Sequence, residues 1–511
     1  MKTRLLPLFL LTAFAVTTTF TSCTKEENVT NEPDPVVPEF TATMEAYADH
    51  QDKTILDGIT LNWQEYELID IYGTEGSGTY QAVPQNPPTT ANFFRVYGDA
   101  PGNAPFRAFF PENLTWDGTS VYLNSFQYCW EDNEYRFPMY AESDNNQLAF
   151  KHLCGLLKLH LTKANVTIKT IVITASSVIN GNYSVNYNAG SPQLIYMDGG
   201  SNTTTLQIIP ARSISEGNDI FLYLPEGDYT DLQIELVASD ESFCVKTANT
   251  TIPVRRSRYT SITLGENDLT FTPQPHHDNG VLPGLFSINP NGDQVRFSQG
   301  NLQYNTSTQI WSFTERQYSI LGDNDRFTST WIDLFGWGTG NNPTLSSTNP
   351  ADYSTFVDWG VNAISNGGGV SNFWRTLSNS EWEYIINTRT NASAKRGLAT
   401  VNGVPGMVLL PDNWAMPAGL PAFNTAQNNY RDNVYTVSLW AGMEAAGAVF
   451  LPFSFYREGT EFRGNGLANY WSSTPSQDGK AYSMTFAIRY LSILNSDRYM
   501  GYMVRLVRDN Q

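Results

Sequence analysis

The sequence predicts a mainly β chain, with β-sandwiches in its first part and a mixed α+β region in its last. Three observations predict this. Short apolar–polar alternations recur between residues 148 and 237, separated by turn signals at the spacing of sandwich strands. A single strong helix signal stands after residue 283. The composition also breaks near residue 280. With 511 residues, 41% hydrophobic and 16% charged, the chain is not disordered by composition and has length for about three domains. Its net charge of −19 repels a phosphate polymer and argues against nucleic-acid binding. Four Cys exclude a disulfide-rich scaffold, and five His argue against a His-rich metal site.

Lys2 and Arg4 precede an apolar stretch from Leu5 to Val16. That is the length of a secretory h-region and too short to span a bilayer. The run Thr17 to Ser22 before Cys23 resembles a bacterial lipobox, with Phe20 where Leu is usual. The resemblance implies cleavage before Cys23 and acylation of its sulfur and new amine, palmitate included. The alternative is an ordinary secretory signal with an incidental Cys. Residues 24–38, TKEENVTNEPDPVVP, read as a Pro- and Glu-rich spacer that forms no core. Lys25-Glu26-Glu27 resembles the export signal of Bacteroidetes surface lipoproteins. The expectation is a signal peptide over 1–22, an acidic linker over 23–38 and a lipid anchor on the outer face of the cell outer membrane. Each buried CH₂ of such an anchor contributes about 0.8 kcal/mol.

Residues 24–280 carry 14 Lys+Arg and 33 Asp+Glu, whereas 281–511 carry 15 and 17. Nine of the 12 Trp lie in the second part; all Cys and His lie in the first. Phe271 to Gly280 between them is Pro/Gly-rich and reads as a linker. His276-His277 within it reads as a solvated pair, because no carboxylate–His spacing accompanies it. In the first part, Leu157, Leu159 and Leu161 share one face of an alternating run over 148–161, opposite Lys158 and His160. Thr167 to Ala175 alternates likewise. Asp219 to Leu224 and Leu232 to Val237 follow, separated by the turn Pro225-Glu226-Gly227-Asp228. Cys129, Cys154 and Cys244 sit in apolar strand contexts and read as buried thiols; one disulfide among them is the alternative.

The ordered set Leu61-Asn62-Trp63, Ala108 to Pro111, Phe137-Pro138-Met139, Phe150 to Leu157 and Phe221 to Pro225 resembles the fimbrillin, or Bacteroidetes major-fimbrium-subunit, superfamily. The resemblance covers roughly 39–265. It implies two tandem fimbrillin-like β-sandwich domains, over 39–147 and 148–265, and a linker over 266–282. In true pilins it also implies polymerisation by strand exchange after trimming at an early Arg or Lys, for which Lys53 is the nearest candidate.

In the second part, Val295 to Tyr304 alternates as a strand. Ser378 and Glu381 form the S-x-x-E capping box of the helix signal, and Trp382, Ile385 and Ile386 share one of its faces. Glu381 therefore reads as a cap rather than an acid catalyst. The segment Arg375 to Tyr384 resembles a motif of the formylglycine-generating-enzyme branch of the C-type lectin fold. Tyr470 to Thr474, Ala481-Tyr482 and Gly501 to Arg508 agree. They also resemble the variable proteins of diversity-generating retroelements. The resemblance implies an α+β C-type-lectin-like head over 283–511.

The familiar chemistries of that fold find no residues here. Residues 281–511 contain no Cys and no His, so nothing supplies the thiolates of the oxygen-activating branch or a Ser/His/Asp triad. The Glu-Pro-Asn and Trp-Asn-Asp signatures of calcium-dependent sugar binding are absent. Asp323-Asn324-Asp325 has oxygens suited to calcium, but reads as a solvated turn. No catalytic residue, metal site or cofactor is expected. What remains is surface recognition. In retroelement variable proteins, the strands before the closing Val504-Arg505-Leu506-Val507-Arg508 pattern display the variable residues, which here implies Phe486 to Met503. Alternation puts Leu491 and Ile493 inward and Tyr490, Ser492 and Leu494 outward. Asn495, Ser496, Asp497, Tyr499 and Tyr502 fall in turns or the next strand. Tyr, Ser, Asn and Asp suit adaptable binding surfaces. Adenine-directed mutation yields no Met, so Met500 and Met503 are fixed or that mechanism is absent. Arg489, Arg498 and Arg505 read as braces of the sheet.

The expected function is adhesion: a fimbrial tip or accessory subunit whose Trp-rich head binds a macromolecular ligand, protein or glycan, beside other fimbrial subunits. A polymerising pilin with a spacer domain is the alternative. A glycan-active surface enzyme is the remaining one, disfavoured by the missing His, Cys and metal motifs.

Overall fold

The computed structural model describes residues 39–510, apart from 50–60, 131–134, 164, 189, 215–216, 322–329, 465 and 478. The expected signal peptide and spacer, Cys23, Lys53 and Asp323 to Asp325 lie outside the described residues. The chain is mainly β.

The first unit is a closed ring of seven strands. Starting from Phe40–Met44, the order is Gln147–His152, Met139–Ser143, Phe106–Phe110, Leu68–Tyr72, Ser77–Pro84 and Thr90–Gly98, which returns to the start. Phe40–Met44 runs parallel to Gln147–His152, and every other pair in the ring is antiparallel. Alternation fills the ring: Ile69, Ile71, Tyr80, Ala82 and Phe93 point inward around Trp63. Phe93, Phe110 and Phe150 meet the Trp63 ring edge-to-face at 4.9, 5.3 and 5.4 Å. The expected sandwich over 39–147 is thus a closed barrel. The expected boundary at 147/148 falls inside a strand, because the barrel needs all of Gln147–His152 to reach the first strand.

The second unit is a sandwich. One sheet has the order Asn218–Leu224, Gly155–Leu161, Arg258–Leu264, Ala48–Asp49. The other has Phe243–Thr247, Gln233–Ala238, Thr167–Thr174, Thr203–Ser213, Phe126–Trp130. Leu157, Leu159, Leu161, Ile220 and Leu222 of the first sheet meet Ile171, Ile173, Ile234 and Leu236 of the second in one core. Ser120–Leu123 joins the hairpin Gly181–Asn188 and Ser191–Asp198 in a smaller sheet. Three strands from before residue 147 therefore belong to sheets of the second unit. The units are also tied by Glu45, which accepts hydrogen bonds from Arg256 Nη1 at 2.7 Å and Ser257 Oγ at 2.6 Å. Cys129, Cys154 and Cys244 are free and buried.

Among the described residues, the head, from 281 onward, is built of five small sheets and two α-helices, α1 (Asn379–Glu383) and α2 (Val437–Ala445). Its last strand, Leu506–Asp509, lies between Gln294–Phe297 and Arg375–Thr376, so the two ends of the head meet. Val295 to Tyr304 is two strands rather than one. Gly300 separates them, pressed so close to Thr314 that a Cβ would stand 2.2 Å from its hydroxyl. α1 begins as expected: Ser378 Oγ accepts the Glu381 N–H at 3.3 Å, and Glu381 Oε2 accepts the Ser378 N–H at 2.7 Å. Arg375 holds the same carboxylate at 3.0 and 2.8 Å. A π-helical turn, Tyr384–Thr388, continues α1, and Trp382, Ile385 and Ile386 are buried in the core. The Trp-rich composition is largely a core property. Trp311, Trp337, Trp359, Trp374 and Trp471 fill one cluster, while Trp382 and Trp440 are buried in others.

Candidate functional site

The candidate surface is a three-stranded antiparallel sheet, Ala468–Pro475, Lys480–Ala487 and Tyr490–Asp497. Among the described residues the last strand pairs with Lys480–Ala487 alone and is an edge. Met484 faces Ile493 and Phe486 faces Leu491. Met484 and Phe486 are core residues, and Leu491 and Ile493 pack against that core. The strand is therefore fixed from beneath by apolar contact.

On the opposite face the sheet carries a polar seam. Thr485 Oγ1 donates to Asn469 Oδ1 at 2.9 Å, and the hydroxyls of Ser483 and Ser496 lie 3.0 Å apart. Ser483, Thr485 and Asn469 are buried, while Ser492, Leu494 and Ser496 on the edge strand are half-buried. Tyr490, at 38% exposure, and Asn495 are the exposed members of this strand. Asp497 and Tyr499 are half-buried, with Lys480 Nζ 3.8 Å from Asp497 Oδ1. Tyr502 differs from the rest: it is only 8% exposed and belongs to the aromatic core. Phe335 exchanges both backbone hydrogen bonds with it at 3.0 Å, which turns its ring inward.

Three arginines hold the surface in place. Arg489 sits at φ 59° in the hairpin turn, where its N–H donates to Gln427 O at 2.6 Å. The Arg498 guanidinium lies 4.3 Å from the Trp337 ring centre, and its Nε donates to Lys480 O at 3.1 Å. Arg505 is buried and donates to Gln317 Oε1 at 2.7 Å and Asn301 Oδ1 at 3.3 Å. Burial lowers its pKa to about 10.

A cavity of about 230 Å³ lies in the same head. Trp331, Ile332, Leu334, Pro343 and Phe462 form apolar walls, and Asp333, Thr344, Ser346 and Thr460 add polar groups. The hairpin Tyr456–Glu458 and Glu461–Arg463 supplies one wall and pairs with Met500–Gly501, so it adjoins the turn after the candidate strand. Arg457 braces that wall by donating to Leu334 O, Leu345 O and Gly459 O. No local motif in the sequence marks this cavity, because its walls come from three separated segments. Among the described residues no three His, Cys, Asp or Glu converge as a metal site.

His276 and His277 part company. His276 is exposed, but His277 is half-buried, with its side chain only 9% exposed, and its Nε2 lies 2.6 Å from Glu444 Oε1. The expectation of a solvated pair fails for His277, because its partner is contributed by α2, far along the chain.

No protein-family model matches the chain, and no curated protein does. Solved structures with similarity include a proposed cell adhesion protein from Bacteroides ovatus, at TM-score 0.31 and 12% identity over 46% of this chain and 95% of that one. A fimbrial protein from Bacteroides ovatus has TM-score 0.22 and 10% identity over 93% and 100%. The C-terminally truncated tip fimbrial protein Mfa3 from Porphyromonas gingivalis has TM-score 0.23 and 12% identity over 44% and 94%. With TM-scores this low, these likenesses fix neither the family nor the function.

Proposed function

We propose that the protein is a cell-surface adhesin, as a fimbrial tip or accessory subunit, whose C-terminal-half head binds a protein or glycan. The observation that carries this reading is the edge strand Tyr490–Asp497, fixed from beneath by Leu491 and Ile493: exposed Tyr490 stands on its outward face beside Ser492 and Leu494, and exposed Asn495 stands on the other face, toward the strand's end. A rigid base with aromatic and amide groups at its rim gives binding area at low entropic cost. The reading includes a C-type-lectin-like topology for 283–511, a lipid anchor at Cys23 and no catalytic activity. It is tested by retention of the purified protein on a glycan array and on immobilised extracellular-matrix proteins. Tyr490→Ala/Asn495→Ala is expected to lower retention at least tenfold, while Thr344→Phe, which fills the cavity, leaves it unchanged. The opposite pattern moves the site to the cavity. Unchanged retention of both variants removes the head as the binding element.

A polymerising subunit is the second reading. Phe40–Met44 is bonded on both sides within the barrel, so its removal leaves two unpaired edges able to take another strand. Protein trimmed after Lys53 and inspected by electron microscopy is expected to form fibres on this reading, and to stay monomeric on the first.

A further inference from the structure

The outer face of the five-stranded sheet is buried where an isolated sandwich leaves its outer face to water. Thr170, Val172, Glu235 and Val237 point away from the sandwich core. They form one patch through the pairs Val172 with Glu235 and Thr170 with Val237. All four are buried, Glu235 to 4% exposure. A carboxylate set among valines needs donors to offset its lost hydration. The head supplies them. Glu235 Oε1 accepts the Ser438 N–H at 2.9 Å, and Oε2 accepts the Ser438 hydroxyl at 2.6 Å.

Ser438 stands in the first turn of α2, whose unpaired N–H groups and positive dipole end favour an anion. The other end of the helix is gripped as well. Glu444 accepts from His277 Nε2 at 2.6 Å, and its second oxygen accepts from Trp440 Nε1 and Gln317 Nε2, each at 2.9 Å. His277 belongs to the segment between the second unit and the head. This nine-residue helix is therefore held at both ends by side chains from outside the head. The connecting segment is itself tied down, since Phe243 and Thr272 exchange backbone hydrogen bonds at 2.9 and 2.7 Å.

We infer that α2 is a latch that locks the head onto the second unit in one orientation. Glu235 and His277 are its two fastenings. Tyr318 Oη to Glu241 at 3.4 Å and Arg431 Nη1 to Gly199 O at 2.9 Å are the lesser contacts across the same junction, and releasing the α2 pair loosens the head on the segment that carries His277. The inference concerns the junction and stands apart from what the head binds. Closed, the latch passes a pull on the head directly into the five-stranded sheet instead of through a flexible tether.

The test compares the mature chain with Glu235→Ala/His277→Ala by small-angle scattering and scanning calorimetry. Near-UV circular dichroism of the Trp-rich head confirms that it stays folded. The wild type is expected to melt its second unit and head in one transition. The double variant is expected to split that transition and to show a larger radius of gyration. Ser378→Ala, which weakens the head away from the junction, keeps the wild-type radius. A change in either readout with the head folded supports the latch; an unchanged radius and a single transition overturn it. If the double variant fails to fold, Glu235→Gln/His277→Asn is judged by the same two readouts.

Discussion

The ring of Tyr502 lies 4.6 Å, centroid to centroid, from the ring of Trp471, with the two planes tilted by 35°. Tyr456 meets it from another side at 6.3 Å. A buried aromatic in such a cluster belongs to stability rather than to a binding face. Tyr502→Ala is expected to cost about 3–5 kcal/mol, as large-to-small core changes do. Tyr490→Ala, on the exposed edge, is expected to stay within about 0.5 kcal/mol of wild type. Chemical denaturation of the two variants checks this, and comparable losses would refute the assignment of one to the core and the other to the rim.

The contrast between these tyrosines shows what the sequence made legible. Alternation along Tyr490–Asp497 correctly sends Leu491 and Ile493 inward, because a strand's period is a local property. The turn at Arg498-Tyr499 ends that phase. The inward ring of Tyr502 then depends on Phe335, which is remote in sequence. The capping box at Ser378 and Glu381 was legible for the same local reason. The pairing of His277 with Glu444 was not, since Glu444 lies 167 residues away. Nor was the departure of Ser120–Leu123 and Phe126–Trp130 to the second unit, because strand pairing across units leaves no mark on the strands' own pattern.

Ser378 Oγ is the N-cap acceptor of α1, a five-residue helix continued by a π-helical turn. Losing it leaves an N–H without its partner at a short helix that depends on its cap. Ser378→Ala is expected to destabilise the head by about 1 kcal/mol, and Ser378→Asp to restore most of that. Thermal melts of the two variants decide it, and an Asp variant no better than Ala would count against capping.

Cys129 and Cys244 lie on opposite edge strands of the five-stranded sheet. Four strand spacings of about 4.8 Å each separate them, far beyond the reach of a disulfide. Burial raises the pKa of both thiols, and of Cys154 in the neighbouring cluster. Iodoacetamide is therefore expected to leave all three unmodified in the native protein and to label all three in guanidinium. Mass spectrometry also reads Cys23: an acylated sulfur stays unlabelled under both conditions, whereas labelling of Cys23 in guanidinium would refute lipidation.

His152 gives the fold a defined acid sensitivity. Its Nε2 donates to the Glu45 carbonyl at 2.8 Å, and its ring stacks on Tyr47 at 3.7 Å. Nδ1 is buried and has no hydrogen-bond partner among the described residues. Burial is the dominant influence and holds the imidazole neutral, with its pKa lowered from 6.5 to about 3, although the nearby Glu45 charge pulls the other way. In the unfolded chain the ring takes up a proton near pH 6.5; in the fold it does not until about pH 3. Between those values the unfolded state binds more protons, so stability is full above pH 6.5 and falls as the pH drops toward 3. The whole loss is on the order of 4–5 kcal/mol. Glu45 acts in the same direction, since its pKa is lowered by Ser257 and Arg256 against the effect of its own burial. Denaturant midpoints measured from pH 8 to pH 4.5 check this. Wild type is expected to lose stability steadily below pH 6.5. His152→Phe keeps the stack on Tyr47 but has nothing to titrate, so it starts lower at pH 8 and declines less steeply. Every other group is common to both proteins, so the difference in slope isolates His152; parallel curves would show that its burial does not govern the acid response.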